Sequence, residues 1–576
     1  MDRVYPHPLH TASRRWLVVL APLVLCWLLL ALAPPCHAAA PVTPTLASFA
    51  SAPRDLAAAA LTDLPGTAVA AVWRDGRAHH AGLRDGQPLD EALLTGPQAP
   101  LFEIGSITKV FTALLLAQAV ERGELRLEDT LGTLLREQVR FGSDAVAGIT
   151  LRQLVTHTAC LPRLPADFRS GSDNADPYHG YDRARLWQAL SAQTLSTPPP
   201  CEAVYSNYAF ALLGELLAER EGMTWDTLVR ERITAPLGMA DTRRELGEDA
   251  PRLVAGFNGR TPARPWQMQA FAGAGALRST AADLLRFGRA VLAGRQGPLG
   301  AAAERLATPL ARFDGDIGYA LFVRGPAERR TLMHNGGTGG FRSQLTLAAD
   351  TGEVLVVLAS NAEAPVYRVG SDVLIARYPV TPGRTAPDPA TLADYPGVYR
   401  IGQHQSLTVV QQDGALYLRA TGRGYVPLQG DGPDRFTSGQ LLRLVFERGA
   451  DGQVARVQTS SSGADHTGTR TSDPPPRRAL LPPDEAQALA GRYRTPTLTF
   501  DVRAERGQLS VRLFGANDQP RFPVFPVDGV PDRFAYDVVK AELQFERWPT
   551  GQGKALVLHQ NGRQRAVRED SERAPD

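Results

Sequence analysis

One decapeptide restricts what this chain can fold into and do: Phe102-Glu103-Ile104-Gly105-Ser106-Ile107-Thr108-Lys109-Val110-Phe111. Ser106 and Lys109 are three residues apart, and Val110, Phe111, Leu114, Leu115, Leu116 and Val120 follow, with Gly123 as a stop. That pattern predicts a buried helix. Residues i and i+3 share a helix face, so the hydroxyl and the amine meet in the first turn. Free N–H groups at a helix start favour a developing oxyanion. A lysine kept neutral by burial can take the serine's proton. Of the 62 basic residues only Lys109, Lys540 and Lys554 are lysines. Arginine cannot serve as the base and lysine can. The competing reading, a serine cap with an exposed lysine, fits poorly with such apolar flanks.

The chain has 576 residues, a length that suggests about three to four domains. Its 43% apolar and 21% charged residues are ordinary for a globular protein. A net charge of +2 gives no reason to invoke nucleic acid. Arg14 and Arg15 precede an apolar run from Trp16 to Ala33, with small residues at Ala38-Ala39-Ala40. Residues 1–40 therefore read as an export signal or, uncleaved, as an N-terminal anchor through residues 16–33; the chain is expected to be periplasmic or secreted. Nothing later is long and apolar enough to span a bilayer. Cys160 and Cys201 remain in an exported chain, where an oxidising compartment favours their pairing over two separate buried thiols; the sequence leaves both readings open.

Thr67–Trp73, Asp75-Gly76 and Arg77–Leu83 read as a hairpin, as do Gln344–Leu347, Asp350-Thr351-Gly352 and Val354–Ala359. Helical patterns cover Arg183–Ala192, Tyr208–Arg220 and Val366–Tyr378, and Thr280 with Asp283 reads as a capping box opening Ala281–Leu292. Residues 163–182 look like loop. Strands at both ends with helices between predict one α+β domain, residues 45–378, whose antiparallel sheet joins its two ends. A Pro-rich linker, 379–390, follows. Beyond it the sequence repeats itself. Tyr399-Arg400 parallels Tyr493-Arg494, Pro433-Asp434-Arg435-Phe436 parallels Pro531-Asp532-Arg533-Phe534, and Phe446-Glu447-Arg448 parallels Phe545-Glu546-Arg547, at offsets of 94 to 99 residues. Two small antiparallel β-barrels are expected, 391–472 and 484–568, with a linker at 473–483. No metal-ligand cluster, phosphate loop or cofactor motif stands out.

Three elements stand in order: Ser106-x-x-Lys109, Tyr205-x-Asn207 and His334-Asn335-Gly336. With His157-Thr158-Ala159, Pro236-Leu237-Gly238-Met239 and Gly336-Gly337-Thr338-Gly339-Gly340-Phe341, they resemble the serine β-lactamase and penicillin-binding superfamily, in its class C-like branch. The resemblance implies a serine hydrolase without cofactors or metal. Ser106 would be acylated, Lys109 and Tyr205 would share the base and acid work, and Asn207 would bond Lys109 and the substrate amide. His334 would join the site, Asn335 and Gly336 would bind substrate, and the N–H groups of Ser106 and Gly337 would form the oxyanion hole. Many relatives carry a lysine where His334 stands; the His-x-Gly form resembles D-aminopeptidases, esterases and some peptidoglycan hydrolases. Cys160 and Cys201 stand where the family commonly has glycine, which supports a disulfide shaping the rim. The tandem barrels resemble the lipocalin-like domains of D-aminopeptidases. Expected substrates are D-amino-acid-containing peptides or peptidoglycan fragments, with β-lactam binding. The alternatives are a carboxylesterase or weak class C-like β-lactamase, or a penicillin-binding sensor with slow turnover.

Overall fold

A computed structural model describes residues 52–569 apart from 136, 169–174, 314, 379–388, 403–404, 440–441, 462–463, 515–520 and 561. The expected signal or anchor, residues 1–40, lies outside them, as does most of the first linker. No helix among the described residues is long and apolar enough to cross a membrane.

Nine antiparallel strands form the sheet of the N-terminal unit: β1 (Thr67–Arg74), β2 (Arg77–Arg84), β3 (Gln87–Pro88), β4 (Ala311–Arg312), β5 (Asp316–Ile317), β6 (Phe322–Arg324), β7 (Thr331–Gly337), β8 (Arg342–Ala348) and β9 (Glu353–Ala359). Their order is β3-β2-β1-β9-β8-β7-β6-β5-β4. The first and last thirds of the unit thus meet at β1 and β9, where Ala68 pairs with Ala359 and Trp73 with Val354. Asp75 and Gly76 both take positive φ, 52° and 77°, which matches the twist of a two-residue hairpin.

Side-chain alternation explains the layers. Ala68, Ala70 and Val72, with Leu355 and Val357, pack under helices α1 (Pro53–Ala60) and α5 (Val366–Arg377). Val69 and Ala71, with Val354, Val356 and Leu358, face a larger core holding α2 (Thr108–Glu121), α3 (Asn207–Glu221) and α4 (Ala281–Leu292). A sheet covered on both faces needs no polar side, hence the near-continuous apolar strands. Helix α2 is buried all round, including Lys109 at 0% exposure. At α4, Thr280 accepts the N–H of Asp283, yet the Asp283 carboxylate takes the N–H of Asp241 and the hydroxyl of Thr242. The expected capping box is therefore only half formed, because a tertiary partner outcompetes the local one.

The repeat folds twice. Residues 397–470 form a nine-stranded antiparallel sheet that curls until its edge strands are Val426–Pro427 and Gln429–Gly430, neighbours in sequence. Residues 491–568 form an eight-stranded closed barrel, joined where Tyr493 pairs with Arg568. Both carry the same brace. Arg448 pairs with Asp434 at 2.8 Å, and Arg547 with Asp532 at 2.6 Å, each acid at positive φ. The Tyr399 hydroxyl donates to Tyr395 O and that of Tyr493 to Leu489 O. Phe436 meets Phe446 edge-on at 5.6 Å, as Phe534 meets Phe545 at 5.5 Å. Arg419 of the first barrel pairs with Asp537 of the second and lies 3.9 Å over Phe525. Arg512 ties the second barrel to Glu363 of the N-terminal unit, and Arg312 donates to Asp465 O of the first.

Phe545→Ala should destabilise the second barrel by about 3–5 kcal/mol, the usual cost of emptying a packed phenyl site. Urea unfolding checks it; a loss under about 1 kcal/mol would contradict the packing described.

Candidate active site

Gly105–Ile107 is one turn of 3-10 helix leading directly into α2, with Gly105 at φ 49°. This tight entry lifts Ser106 out of the helix while leaving Lys109 one turn along, inside it. Lys109 Nζ lies 3.1 Å from Ser106 Oγ, 2.8 Å from Asn207 Oδ1 and 2.7 Å from Ala274 O. The last two oxygens only accept, so they take two amine hydrogens. The third direction, toward Ser106, is where a neutral amine carries its lone pair. Burial, with the nearby Arg163 charge, holds Lys109 well below the usual lysine range.

Asn207 opens α3, but Ser206 caps that helix, its hydroxyl accepting from Ala209 N. The Asn207 side chain is therefore not spent on capping. Its Nδ2 donates to the Tyr178 hydroxyl at 2.8 Å, which orients Oδ1 toward Lys109. Tyr178 comes from the segment read only as loop. Tyr205 stands two residues before Asn207. Burial pushes its hydroxyl up to about 12, against the pull of Ser106 and Arg163. Lys109 Nζ is 4.9 Å from the centre of the Tyr205 ring and the Arg163 guanidinium 5.3 Å. The two groups are pushed in opposite directions, so the resting tyrosine keeps its proton while the lysine gives its proton up readily.

The loop carrying His157 runs beside the loop carrying Tyr205. His157 O accepts Val204 N at 2.9 Å, Thr158 O accepts Cys201 N at 3.0 Å, and Arg163 O accepts Asn207 N at 3.0 Å and Tyr208 N at 3.1 Å. His157 Nδ1 accepts Ser206 N, and its ring lies 4.5 Å from Tyr205. Cys160 and Cys201 form a disulfide across this pair of loops.

Strand β7 brings His334, Asn335, Gly336 and Gly337 to the serine turn. It is an inner strand of the sheet, yet β6 pairs no further than Met333, so His334–Gly337 run past its end as a local edge. Gly336 packs closely against the serine turn. A side chain there would be driven into Ile104 O and would lie 2.9 Å from Ser106 N. Gly336 lets the strand press against the serine turn. A Cβ on Gly105 would lie 2.6 Å from Gly337 N, so the two glycine positions hold the Ser106 turn and Gly337 together. Asn335 is half-buried and opposite Gln344.

His334 Nδ1 lies 2.6 Å from Asn335 O. A carbonyl only accepts, so Nδ1 carries the hydrogen and Nε2 is the acceptor. Burial, then the Lys109 charge, lowers His334 to about 3. The structure therefore offers a neutral ring at this position. No group of three or more metal-ligating side chains occurs among the described residues.

A family model described as beta-lactamase matches residues 54–378. The chain belongs to the beta-lactamase family. As a member it is a serine hydrolase. It is 28% identical over 295 residues to the D-alanyl-D-alanine-carboxypeptidase/endopeptidase AmpH of Escherichia coli K12, covering 48% of this chain and 71% of that one. It is 24% identical over 387 residues to penicillin-binding protein 4* of Bacillus subtilis, covering 61% of this chain and 83% of that one. Among solved structures, a class C beta lactamase from Rhodobacter sphaeroides matches at 23% identity and TM-score 0.45, covering 54% of this chain and 94% of that one. A structure of SurE matches at 24% identity and TM-score 0.45, covering 71% and 95%. Within this family member, sequence reasoning missed Tyr178, Ala274 and Arg163. Tyr178 and Ala274 act through a hydroxyl and a main-chain carbonyl on irregular segments, which leave no spacing signal.

Tyr178→Phe should slow acylation of Ser106 about 10-fold while leaving the fold intact, because Asn207 loses the partner that orients it, and one hydrogen bond is worth about 1 kcal/mol or more. Stopped-flow acylation checks this; an unchanged rate would contradict it. The activity profile should show no limb from His334 between about pH 5 and 7.5. With its pKa lowered, the ring stays neutral throughout and charges only near 3. A limb near 6.5 that vanishes in His334→Gln would overturn this.

Proposed function

We propose that this chain is an exported serine hydrolase that cleaves D-amino-acid-containing peptides or peptidoglycan fragments through a Ser106 acyl-enzyme. The observation that carries the reading is the Lys109 amine, with two acceptors on its hydrogens and Ser106 Oγ at the third position. The Ser106 proton moves to Nζ as Oγ attacks the scissile carbonyl. The oxyanion forms against the N–H groups of Ser106 and Gly337; each such donor is worth about 10²–10³ in rate. Tyr205, still protonated, gives its proton to the leaving amine as the C–N bond breaks. The resulting tyrosinate draws a proton from water, hydroxide attacks the acyl carbon, and Lys109 returns its proton to Ser106 Oγ. His334 would present Nε2 as a neutral acceptor beside this centre, and Asn335 would line it.

A relative named as a D-alanyl-D-alanine-carboxypeptidase/endopeptidase supports the substrate class. Relatives named as penicillin-binding proteins support reaction with β-lactams. The Cys160–Cys201 disulfide fits an oxidising compartment, and with the N-terminal apolar run it supports export.

Intact mass after mixing with benzylpenicillin should show a one-to-one adduct on Ser106, absent in Ser106→Ala. Lys109→Arg keeps the charge yet should lose at least about 100-fold in acylation, since guanidinium cannot take the proton. Full activity in Lys109→Arg would defeat the lysine-base assignment. Hydrolysis of an acyl-D-alanyl-D-alanine is expected; turnover of simple esters alone would defeat the peptidase reading.

A further inference from the structure

Glu103 is a buried carboxylate three residues before the nucleophile, and acyl transfer as described leaves it without a task. It is 3% exposed. The short strand Phe102–Glu103 pairs with Arg278–Ser279, which sets Glu103 opposite Arg278. Glu103 Oε1 is fully used: it accepts Trp266 N at 2.9 Å and Arg278 Nη2 at 3.1 Å. Arg278 Nη2 also donates to Trp266 O at 2.9 Å, which closes the ring of three. Glu103 Oε2 is buried and has no hydrogen-bond partner among the described residues, and the same is true of the Thr338 hydroxyl. These two groups are neighbours. Trp266, which holds Oε1 through its main chain, packs its indole on Gly339, where an added Cβ would lie 2.7 Å from Nε1. Burial pushes the Glu103 carboxyl up, and the Arg278 charge and then the Thr338 hydroxyl pull against that rise. A buried acceptor beside a buried donor, both unpaired, favours a hydrogen bond between them once the two segments close.

Position gives that bond its consequence. Glu103 belongs to the strand that leads into the Ser106 turn, and Thr338 directly follows Gly337. The Thr338 main chain is tied on its far side, its N–H donating to Phe341 O at 3.1 Å and its carbonyl accepting Arg342 Nη1 at 3.1 Å. Its side chain is the remaining link from this turn to the serine strand. We propose that Glu103 is a positioning residue for the oxyanion hole, its Oε2 accepting the Thr338 hydroxyl and so holding the Gly337 N–H in place beside that of Ser106. This rests on the assignment of those two N–H groups to the oxyanion. No bond is made or broken at Glu103, and it does not touch substrate. A hydroxyl bonded to a carboxylate makes a short, strong link, and donors fixed before the reaction cost no reorganisation as charge develops.

The test measures acylation of Ser106 by a nitrophenyl ester and by the thionoester of the same acyl group, each relative to its rate with hydroxide. Sulfur is a larger and poorer acceptor than oxygen, so the preference for the oxoester reports the hole itself. Thr338→Val removes the hydroxyl at nearly constant volume. It should slow acylation by the oxoester about 10-fold, as the loss of one hydrogen bond allows, through the acylation constant and not through KM. The thionoester should be slowed far less, so the oxygen preference shrinks. Thr338→Ser should restore both rate and preference. Glu103→Gln keeps the fold but exchanges the anion for an amide, so in that background Thr338→Val should cost only about 3-fold or less. An oxygen preference unchanged in Thr338→Val would overturn the assignment even if both rates fell, and costs that simply multiply in the double variant would remove Glu103 from it. A full chain acylated at Ser106 without any oxygen preference would defeat the oxyanion assignment, and this inference with it. A full chain in which neither ester labels Ser106 would defeat the acyl-enzyme reading and, again, the inference that rests on it.

Discussion

A primary amine with no exposure to water is the constraint on which the catalytic unit depends. Holding Lys109 charged there would cost several kcal/mol, so the surroundings favour the neutral form. Its two hydrogens are satisfied by groups from two further elements, Asn207 at the head of α3 and Ala274 in the short helix Ala272–Gly275. Three segments far apart in sequence must therefore converge before one side chain is content. The same convergence points the lone pair at Ser106. Stability and reactivity are here one arrangement, because the group that burial makes basic at neutral pH is the group that the fold must satisfy.

Around that amine the protein builds stiffness from main-chain bonds. The loops 157–163 and 201–208 share a ladder of hydrogen bonds and a disulfide. Tyr205, Asn207, Arg163 and the His157 ring all stand on this double loop, so their mutual distances are set by backbone. The opposite wall is β7, and its approach is set by missing side chains at Gly105 and Gly336. A small added methyl at either place would separate the serine turn from the Gly337 N–H, and with it the two donors that would face an oxyanion.

The barrels show which long-range features a sequence can reveal. Their braces join residues about a hairpin apart, Asp434 to Arg448 and Asp532 to Arg547, so the pairs recur at nearly the same local spacing, 14 and 15 residues, and mark a duplication. Barrel closure was not legible, because it turns on whether the strands after Ala420 and after Phe514 reach their neighbours. The site divided the same way. Ser106, Lys109, Tyr205 and Asn207 announce themselves by fixed short spacings on regular elements. Tyr178 and Ala274 do not, since a lone tyrosine in a loop and a main-chain carbonyl look like any other. Gly336 was visible as a glycine, but its close packing on Ile104 O follows from strand register.

The sequence by itself determined the family, the α+β class, the serine-lysine pair and the duplication of a strand-rich C-terminal unit, since these rest on local periodicity and short spacing. Only the tertiary structure decided the protonation balance between Lys109 and Tyr205, the neutral tautomer of His334 and the joining of Cys160 to Cys201. It also placed the Arg163 guanidinium over the Tyr205 ring. Each of these depends on which groups from distant segments share a water-free space, and dielectric and contact across that space are properties of the packed chain.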